Sequence, residues 1–345
     1  MPEKFKKPNI YDVAKLAGVS HQTVSRVIND GPHTKAATRA RVELAMAELG
    51  YVPNAAARAL VTSRSKMIGM VVADEIFFGP AGMIHALKNE IRLADYFAIS
   101  CSVDGTSSES MVEGLKHLRK LGLEAIVVTT PQFDYSDTVR QMLPNIPALF
   151  IDSKAGEGQL SISLDNFAGS RIATEHLIGL GHKNILHISG PSTWQDAEPR
   201  VRGYESAMLA AGLTPNVIAA DWLIETGYQI GLQLDLDENQ TTAIVAANDH
   251  LALGLIRAFH ERQIEVPERV SIVGFDDIPE APFLDPALTT LRPDFDQLGK
   301  LAVGLILGSV SQSEVVDNKS LYPELIIRNS TAAPPAIFQR KESQS

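Results

Sequence analysis

The sequence predicts an α/β protein with a small helical N-terminal domain, followed by a core of two lobes that are each a doubly wound parallel sheet. Three observations predict this fold class. Short apolar runs alternate with amphipathic helical segments over roughly 250 residues after Lys66. The residues before Lys66 show only helical spacing of apolar side chains. The chain of 345 residues is also long enough for two or three domains.

Composition restricts the possible classes of protein. A hydrophobic content of 45% is enough for sizeable cores. The single cysteine, Cys101, excludes an intramolecular disulfide framework and is typical of a reducing cytoplasm. The sequence has neither a signal-peptide pattern nor an apolar stretch of ~18 residues. We therefore expect a soluble cytoplasmic protein without a membrane partner.

Charge is divided unevenly along the chain, whose formal net charge is −10. Residues 1–66 hold 11 of the 31 Lys and Arg residues but only 5 of the 41 Asp and Glu residues. This segment is therefore +6 and the remainder is −16. A basic end on an acidic body is the asymmetry expected when only one end meets phosphate, although a solvated basic tail would look the same.

The N-terminal residues predict a helix-turn-helix. Residues 10–17 place apolar side chains on one helical face, and Gly18 can take the positive φ that ends a helix. Ser20 is a suitable N-cap for a second helix at 21–28, and a third helix is expected at about 36–49. The expected core residues of this domain are Val13, Ala14, Ala17, Val24, Val27, Val42, Ala45, Met46 and Leu49.

The second helix carries the candidate DNA-reading residues, because in this motif it enters the major groove. Gln22 can form two hydrogen bonds to adenine and Arg26 two to guanine, and His21 lies beside them. The side chains suited to phosphate contacts are those of Ser20, Thr23, Ser25 and Asn29. From spacing alone, a module that docks another protein stays an alternative.

A long N-terminal run resembles a known signature. Tyr11-Asp-Val-Ala-Lys-Leu-Ala-Gly-Val-Ser20-His-Gln-Thr-Val-Ser-Arg-Val-Ile-Asn29 is similar to the headpiece of the lac repressor (LacI/GalR) family of transcriptional regulators. The similarity continues through Ala45-Met-Ala-Glu-Leu-Gly-Tyr51-Val-Pro-Asn54. It implies sequence-specific binding of double-stranded operator DNA, with Tyr11 among the contacts. One departure is Lys35, where members often carry a Ser or Thr that caps the third helix. The alternatives are a cap by Thr34 or a weak cap.

Residues 54–66 resemble the hinge helix and linker of this family. The hinge helix itself corresponds to residues 54–60. Seven residues cannot hold a helix in water by themselves, because helix nucleation is costly. In the family the hinge orders only when it pairs with that of a second protomer in the minor groove. The resemblance implies DNA contacts by Asn54 and Ala57 and a wedge of Leu60 between base pairs, which kinks the duplex. Without the resemblance, this segment would be a plain flexible linker.

The core has the pattern of buried parallel strands alternating with helices. The predicted strands are Ile68–Ala73, Phe97–Val103, Ala125–Thr129, Ala148–Asp152, Ile185–Ser189, Ala243–Ala247 and Val270–Phe275. The predicted helices between them include Ser110–Lys120, Gly169–Leu180, Arg202–Ala211 and His250–Arg262. The resemblance implies a periplasmic-binding-protein-like core in which the chain crosses three times between the lobes.

The resulting domain boundaries are predictions. They are a headpiece at 1–53, a hinge and linker at 54–66, an effector-binding and dimerisation core at 67–340, and a tail at 341–345. Within the core, lobe one is about 67–164 and 294–322, and lobe two is about 165–293 and 323–340.

Polar and aromatic residues at the ends of predicted strands suggest an effector site, since ligands bind there in such sheets. The set comprises Asp152, Arg200, Trp222, Asn248, Asp276 and Phe295, with Trp222 and Phe295 expected in loops. Charged planar groups can clamp adjacent hydroxyls and aromatic faces can cover the C–H side of a pyranose. Singly, each residue could instead be a helix cap or a core residue.

By position the same set resembles the sugar site of the member after which the family is named, with Pro80 and Phe78 in the first-lobe wall of the pocket. This implies a repressor released by a small galactoside-like sugar. Pro293 departs from the pattern, because a polar pocket residue stands there in that member. A purine or another co-repressor that strengthens DNA binding is the alternative, since the aromatic residues could stack on a base.

No enzyme or cofactor is predicted. The phosphate-loop, nucleophile-elbow, zinc-protease and CxxC motifs are absent, and the histidines lack metal-ligand spacing. Asp276 and Asp277 are adjacent at a strand end and should point to opposite sides, unlike paired glycosidase acids. A free sugar-binding transport protein is a remote alternative.

The oligomeric state is predicted from the C-terminal residues. The member after which the family is named has C-terminal leucine heptads that join it into a tetramer, and residues 334–345 lack them. We therefore predict a homodimer, with Leu253 and the helix from about 80 to 93 as interface candidates by resemblance.

Overall fold

The computed structural model describes residues 7–29, 34–53, 64–73, 76–130, 132–151, 160–238, 240–311 and 319–336. The chain forms two compact units, 1–66 and 67–345, and each is considered by itself.

The N-terminal unit contains the three predicted helices, α1 (Ile10–Ala17), α2 (His21–Ile28) and α3 (Ala36–Leu49). Gly18 and Gly50 take positive φ values of 63° and 62° after α1 and α3, a conformation that favours glycine. The helices bury the core Val13, Ala14, Ala17, Val24, Val27, Val42 and Ala45, against which Met46 and Leu49 pack. The helix-turn-helix prediction is confirmed.

The first sheet of the larger unit has the strand order β11-β5-β4-β3-β1-β2, with every pair parallel. Its strands are β1 (Met67–Val72), β2 (Phe97–Ser102), β3 (Ala125–Thr129), β4 (Ala148–Ile151), β5 (Leu160–Leu164) and β11 (Lys319–Leu321). The order reverses between β1 and β3, which is the switch point where doubly wound sheets bind ligands.

The second sheet repeats this arrangement with the order β12-β10-β9-β8-β6-β7. Its strands are β6 (Ile185–Ser189), β7 (Asn216–Ala219), β8 (Ala243–Ala246), β9 (Ser271–Phe275), β10 (Thr289–Arg292) and β12 (Glu324–Ile326). Only β12 runs antiparallel to its neighbour, β10. Strands β6, β8 and β9 are buried along their whole length, which explains their continuous apolar sequences.

Helices cover the faces of both sheets. They are α4 (Phe78–Leu93), α5 (Ser108–Arg119), α6 (Ser136–Met142), α7 (Asn166–Gly179), α8 (Ala197–Ala210), α9 (Ile224–Gln233), α10 (Asp249–Glu261) and α11 (Phe295–Val310). One face of the first sheet packs on α4 and α11, which contribute Leu87, Ile91, Leu298 and Ile306 to its core. The amphipathic pattern of these helices therefore places their apolar stripes on the sheets.

The chain crosses between the two sheets three times within this unit. It passes from β5 to α7 and the second sheet, returns from β10 to α11, and crosses again between β11 and β12. The predicted fold class, a helix-turn-helix domain with two parallel α/β lobes, is confirmed.

Two features differ from the predictions. Phe295 was expected in a loop, but it is the first residue of α11, whose N-cap Asp294 accepts a hydrogen bond from the backbone N–H of Gln297 at 2.8 Å. The short strands β5, β7, β10, β11 and β12 were not predicted. They contain polar or partly exposed residues and therefore lack the continuous apolar run of a buried strand.

No helix in the described part of the chain is both long and apolar enough to cross a bilayer.

Candidate DNA interface and effector pocket

The headpiece presents the candidate base-reading residues on one side of α2. Val24 and Val27 point into the core, and consequently His21, Gln22 and Arg26 are exposed. The Tyr11 ring, 64% exposed, lies 5.1 Å from the His21 ring. This surface therefore combines hydrogen-bonding groups with a cation and an aromatic pair, which suits the edges of bases in a major groove.

Local hydrogen bonds fix the start of each helix. Asn9 and Asp12 form a capping box around the first turn of α1, with Asn9 Oδ1 accepting from the Tyr11 N–H at 2.8 Å. Ser20 Oγ accepts from the Thr23 N–H at 3.2 Å and lies 2.9 Å from Thr23 Oγ1. The turn between α1 and α2 is thus defined by side chains as well as by Gly18.

The residues predicted to touch phosphate are partly engaged within the headpiece. Ser20 and Thr23 form the cap of α2, while Asn29 Nδ2 donates to the Ser25 carbonyl at 2.9 Å. Their contacts with phosphate stay predictions. At α3, Lys35 makes no side-chain cap and Thr34 Oγ1 has no hydrogen-bond partner among the described residues, so neither side chain caps this helix.

Some predicted site residues lie outside the described part of the chain. These are the hinge residues Asn54, Ala57 and Leu60, and Asp152 in the core. Leu253 is half-buried on α10, and its place in a dimer interface stays a prediction.

The candidate effector pocket lies between the carboxyl ends of strands from both sheets. The space between its lining atoms, which includes open solvent at the mouth, is about 480 Å³. Its apolar wall is mainly from the first lobe and its polar groups are mainly from the second. The lining residues are Gly79, Pro80, Met83, Thr129, Thr130, Ile151, Leu164, Asn166, Asp196, Arg200, Asp276 and Phe295.

Arg200 is the central polar group of this pocket and is buried on α8. Its Nε donates to Asn166 Oδ1 at 2.9 Å and its Nη1 donates to the Ala247 carbonyl. The guanidinium carbon lies 3.8 Å from the centre of the Phe275 ring and 5.4 Å from that of Trp222. These contacts hold the guanidinium plane fixed, which pre-organises it for hydrogen bonding.

Asp276 lies opposite Arg200, but the two side chains do not form a close hydrogen bond. Arg200 Nη2 and Asp276 Oδ1 are 3.9 Å apart. Burial raises the pKa of Asp276 to about 7, against the opposing effect of Arg200. Nη2 therefore keeps donors, and Asp276 keeps acceptors, for a ligand that fits beside both.

Asp277 points away from Asp276, as predicted for adjacent residues at a strand end. It forms ion pairs at 2.6 Å with Arg292, at the end of β10, and with Arg328, which follows β12. These ion pairs join Asp277, the neighbour of the pocket residue Asp276, to β10 and β12, which are strands where the chain crosses between the two sheets.

Three predicted effector contacts do not line the pocket. Asn248 caps α10 by accepting from the Leu251 N–H at 2.9 Å, and its Nδ2 donates to the Trp222 carbonyl at 3.2 Å. Trp222 packs behind Arg200, and Phe78 contacts Phe295 edge to face with ring centroids 6.4 Å apart. Asn248 and Trp222 thus support the wall around Arg200, and their direct contact with an effector stays a prediction.

Several lining residues were not predicted. Thr129 ends β3, Thr130 follows it, and Asn166 comes two residues after β5, so their position at the ends of parallel strands was the available signal. Asp196 comes one turn before Arg200 at the start of α8. Among the described residues, no group of three or more His, Cys, Asp or Glu side chains is placed to hold a metal ion.

Comparison with known proteins covers both units. The family of bacterial regulatory proteins of the lacI type matches residues 9–54, and the periplasmic binding protein-like domain matches residues 174–331. The chain is 32% identical over 333 residues to the lactose operon repressor of Escherichia coli (strain K12), covering 96% of this chain and 92% of that protein. It is 34% identical over 332 residues to the HTH-type transcriptional repressor PurR of Pasteurella multocida (strain Pm70), covering 93% and 98%.

A solved structure matches in the same way. The crystal structure of the lac repressor dimer bound to operator and the anti-inducer ONPF has a TM-score of 0.86 at 33% identity, covering 95% of this chain and 100% of that one. Two repressors with different names are about equally similar, so these likenesses do not specify the effector. They do establish a non-enzymatic repressor architecture that extends over nearly the whole chain. The chain therefore belongs to the lacI family of bacterial regulatory proteins, as a helix-turn-helix DNA-binding repressor with a ligand-binding core.

Proposed function

We propose that this repressor binds a pseudo-palindromic operator as a homodimer and that a small galactoside-like sugar releases it. The gap between Arg200 Nη2 and Asp276 Oδ1, 3.9 Å wide, carries the sugar assignment. A donor and an acceptor held this far apart can each bond one of two neighbouring hydroxyls without first breaking a hydrogen bond to the other.

The rest of the pocket supports a sugar as well. Thr129, Thr130 and Asn166 add neutral polar groups, while Met83 and Phe295 offer apolar surface to the C–H side of a ring. The face of Phe275 is covered by Arg200 at 3.8 Å, so it is not available for stacking on a purine base. Among the described lining residues Phe295 is the one aromatic side chain, which favours the sugar over the purine co-repressor.

For DNA, the proposal rests on the exposed α2 surface and on the basic first 66 residues. We infer that two headpieces occupy successive major grooves and that the hinge segments of the dimer, with Leu60, meet in the minor groove between them. Closure of the lobes on a sugar would separate the paired hinges and so weaken DNA binding. The ligand shifts this equilibrium only by its difference in affinity for the two states.

The pocket assignment is tested by isothermal titration calorimetry with mono- and disaccharides. Arg200→Ala and Asp276→Asn should each weaken binding at least about tenfold, because each removes a charge-assisted hydrogen bond. Arg202→Ala is a matched control on the same helix, since Arg202 only forms an exposed ion pair with Glu198 at 2.7 Å. Undiminished binding in both pocket variants would refute the assigned site.

The DNA part is tested by gel shift with genomic fragments. We expect one or more fragments to bind at least ~10³ times more tightly than random DNA, and the sugar to weaken that complex. A preference smaller than this would contradict the repressor's proposed operator specificity. A compound that binds the core and tightens the complex would instead identify a co-repressor.

A further inference from the structure

Asp196 is a second carboxylate in the effector pocket that the proposed sugar contacts do not use. It precedes α8, lines the pocket, and lies one helical turn before Arg200. Its Oδ1 atom is buried and has no hydrogen-bond partner among the described residues. A buried polar atom without a partner is uncommon in native proteins and calls for a specific explanation.

Local structure does not supply that explanation. Asp196 stands at the N-cap position of α8, but its side chain makes no capping hydrogen bond. Other N-cap residues in the same unit do: Asp165 Oδ1 accepts from the Ala168 N–H at 2.8 Å, and Asn248 Oδ1 accepts from the Leu251 N–H at 2.9 Å. The Asp196 carboxylate therefore does not cap the helix it begins.

The charges around the pocket limit what Asp196 can meet. Three charged side chains line its described part: the cation Arg200 and the acids Asp196 and Asp276. Burial raises the pKa of Asp196, and its proximity to Asp276 raises the pKa of that residue in turn. One guanidinium thus faces two carboxyl groups, and its Nε and Nη1 already donate to Asn166 and Ala247.

A phosphate or another anion has no favourable place in this arrangement. The N-terminus of a helix such as α8 ordinarily attracts an anion, but Asp196 occupies that end with its own carboxylate. An added phosphate would face the carboxyl groups of Asp196 and Asp276 at short range, and its negative charge would be repelled by them. A hydroxyl group, in contrast, donates a hydrogen bond to the unpartnered oxygen at no electrostatic cost.

We propose that Asp196 determines the specificity of the pocket by accepting a hydrogen bond from a hydroxyl of an uncharged sugar and by excluding phosphorylated sugars. This inference rests on the proposed sugar effector and narrows it to unphosphorylated sugars. Asp196 is retained for ligand selection, at a cost to the stability of the ligand-free core.

The first test is a thermal-shift and calorimetric panel on the full chain. It pairs galactose, glucose and ribose with galactose 6-phosphate, glucose 6-phosphate and ribose 5-phosphate, and adds lactose and cellobiose. We expect at least one neutral sugar to raise the unfolding midpoint, since a ligand of the folded state stabilises it, and its phosphate to have no effect. Asp196→Ala should lower the affinity for that sugar roughly 10- to 100-fold.

The second test needs no ligand. Asp196→Ala should leave the thermal midpoint of the ligand-free protein unchanged or raise it, because it removes a buried oxygen atom, Oδ1, that has no hydrogen-bond partner among the described residues. Asp165→Ala is the matched control, since it removes a carboxylate that caps a helix, and it should lower the midpoint. A fall with Asp196→Ala as large as that with Asp165→Ala would make Asp196 structural and overturn the proposal.

The outcomes separate the two proposals. If no sugar of either kind binds the unmodified protein, the sugar effector itself fails and the inference fails with it. If neutral sugars bind but their phosphates bind equally well, or Asp196→Ala leaves the affinity unchanged, only the role of Asp196 is refuted. Tighter binding of a neutral sugar than of its phosphate, lost in Asp196→Ala, supports both.

Discussion

Asp276 combines an unusual backbone with a buried carboxyl group. Its φ of 113° and the φ of 51° at Asp277 are values that residues with a Cβ rarely adopt. The two successive positive φ values direct one carboxylate towards Arg200 and the next towards Arg292 and Arg328. Such strain is tolerated at sites where the surrounding structure holds it in place for function.

The titration of Asp276 predicts a pH dependence of stability. Its pKa is raised to about 7 in the folded protein, so between its ordinary pKa and this value the folded state binds more protons than the unfolded state. Its contribution to stability therefore falls as the pH rises through this window, by at most about 1.4 kcal/mol per pH unit. Asp276→Asn should flatten the profile of denaturant midpoints between about pH 5 and pH 7.

The exposed Asp137 on α6 offers a control for that experiment, since Asp137→Asn changes a carboxyl group in contact with water. The expected result is a profile parallel to that of the unmodified protein. If Asp276→Asn were equally parallel, the assigned titration would be wrong.

Arg26 is the residue at which the sequence preference for DNA is most directly open to test. Arg26→Ala should lose about 1–3 kcal/mol of binding free energy on the preferred operator, because it removes the guanidinium proposed to make a bidentate contact to a base. Fluorescence anisotropy with the operator and with single-base variants measures the change. An equal loss of binding free energy on every duplex, including random DNA, would instead indicate that Arg26 contacts a phosphate group.

The roles of individual pocket residues could be predicted only in part from the sequence. Arg200 and Asp276 were found because they flank a predicted helix and a predicted strand, and both line the pocket. Asn248 has the same sequence signal, yet its side chain is engaged in capping α10. A strand-end position alone cannot distinguish a cap from a ligand contact, because both need a polar side chain just after the strand.

At the scale of elements, α9 and α10 pack so closely that only glycine fits between them. A Cβ on Gly254 would lie 2.2 Å from the Ile224 carbonyl oxygen and 2.5 Å from the Tyr228 nitrogen. A Cβ on Gly227 would lie 2.3 Å from the Leu251 carbonyl oxygen. These neighbours are backbone atoms, so they cannot move aside as a flexible side chain would.

Gly254→Ala should therefore destabilise the core, by about 1–3 kcal/mol or more, because it separates two helices. Gly304→Ala is the matched control: it is also a helical glycine, on α11, but a Cβ there would have no heavy atom within 4 Å. That variant should gain about 0.5–1 kcal/mol from helix propensity. Chemical unfolding of both variants measures the difference, and an equal effect of the two substitutions would contradict the packing argument.

The elements also divide by how well the sequence predicts them. The buried central strands β3, β6 and β9 lie within one residue of their predicted bounds, because burial on both faces requires continuous apolar sequence. Edge strand β7 is mostly exposed and has no such run. Helix α11 escaped prediction because Gly299, Gly304 and Gly308 interrupt an apolar stretch, leaving the Asp294 cap as the only clear helical signal.

At the scale of the whole molecule, the uneven charge determines how DNA binding should respond to salt. The first 66 residues carry +6 and the rest carries −16, so attraction to phosphate is confined to one end of the chain. A dimer that neutralises about 6–10 phosphates should lose roughly 10³- to 10⁵-fold in affinity between about 50 and 200 mM salt. Sedimentation of the same samples should give a dimer, and a salt-independent affinity would contradict the electrostatic mechanism.

The order of the strands and helices along the chain has a consequence for folding during synthesis on the ribosome. Domains generally fold as units while the chain emerges, N-terminal parts first. Here the core of the first lobe needs Leu298, Ala302, Val303 and Ile306 from α11, and its edge strand β11 ends at Leu321. A nascent chain with a complete headpiece therefore lacks a finished first lobe until Leu321 has been translated. A truncated product of interrupted translation would carry the DNA-reading helices without the folded core that regulates them, and its exposed apolar sheet would mark it for degradation.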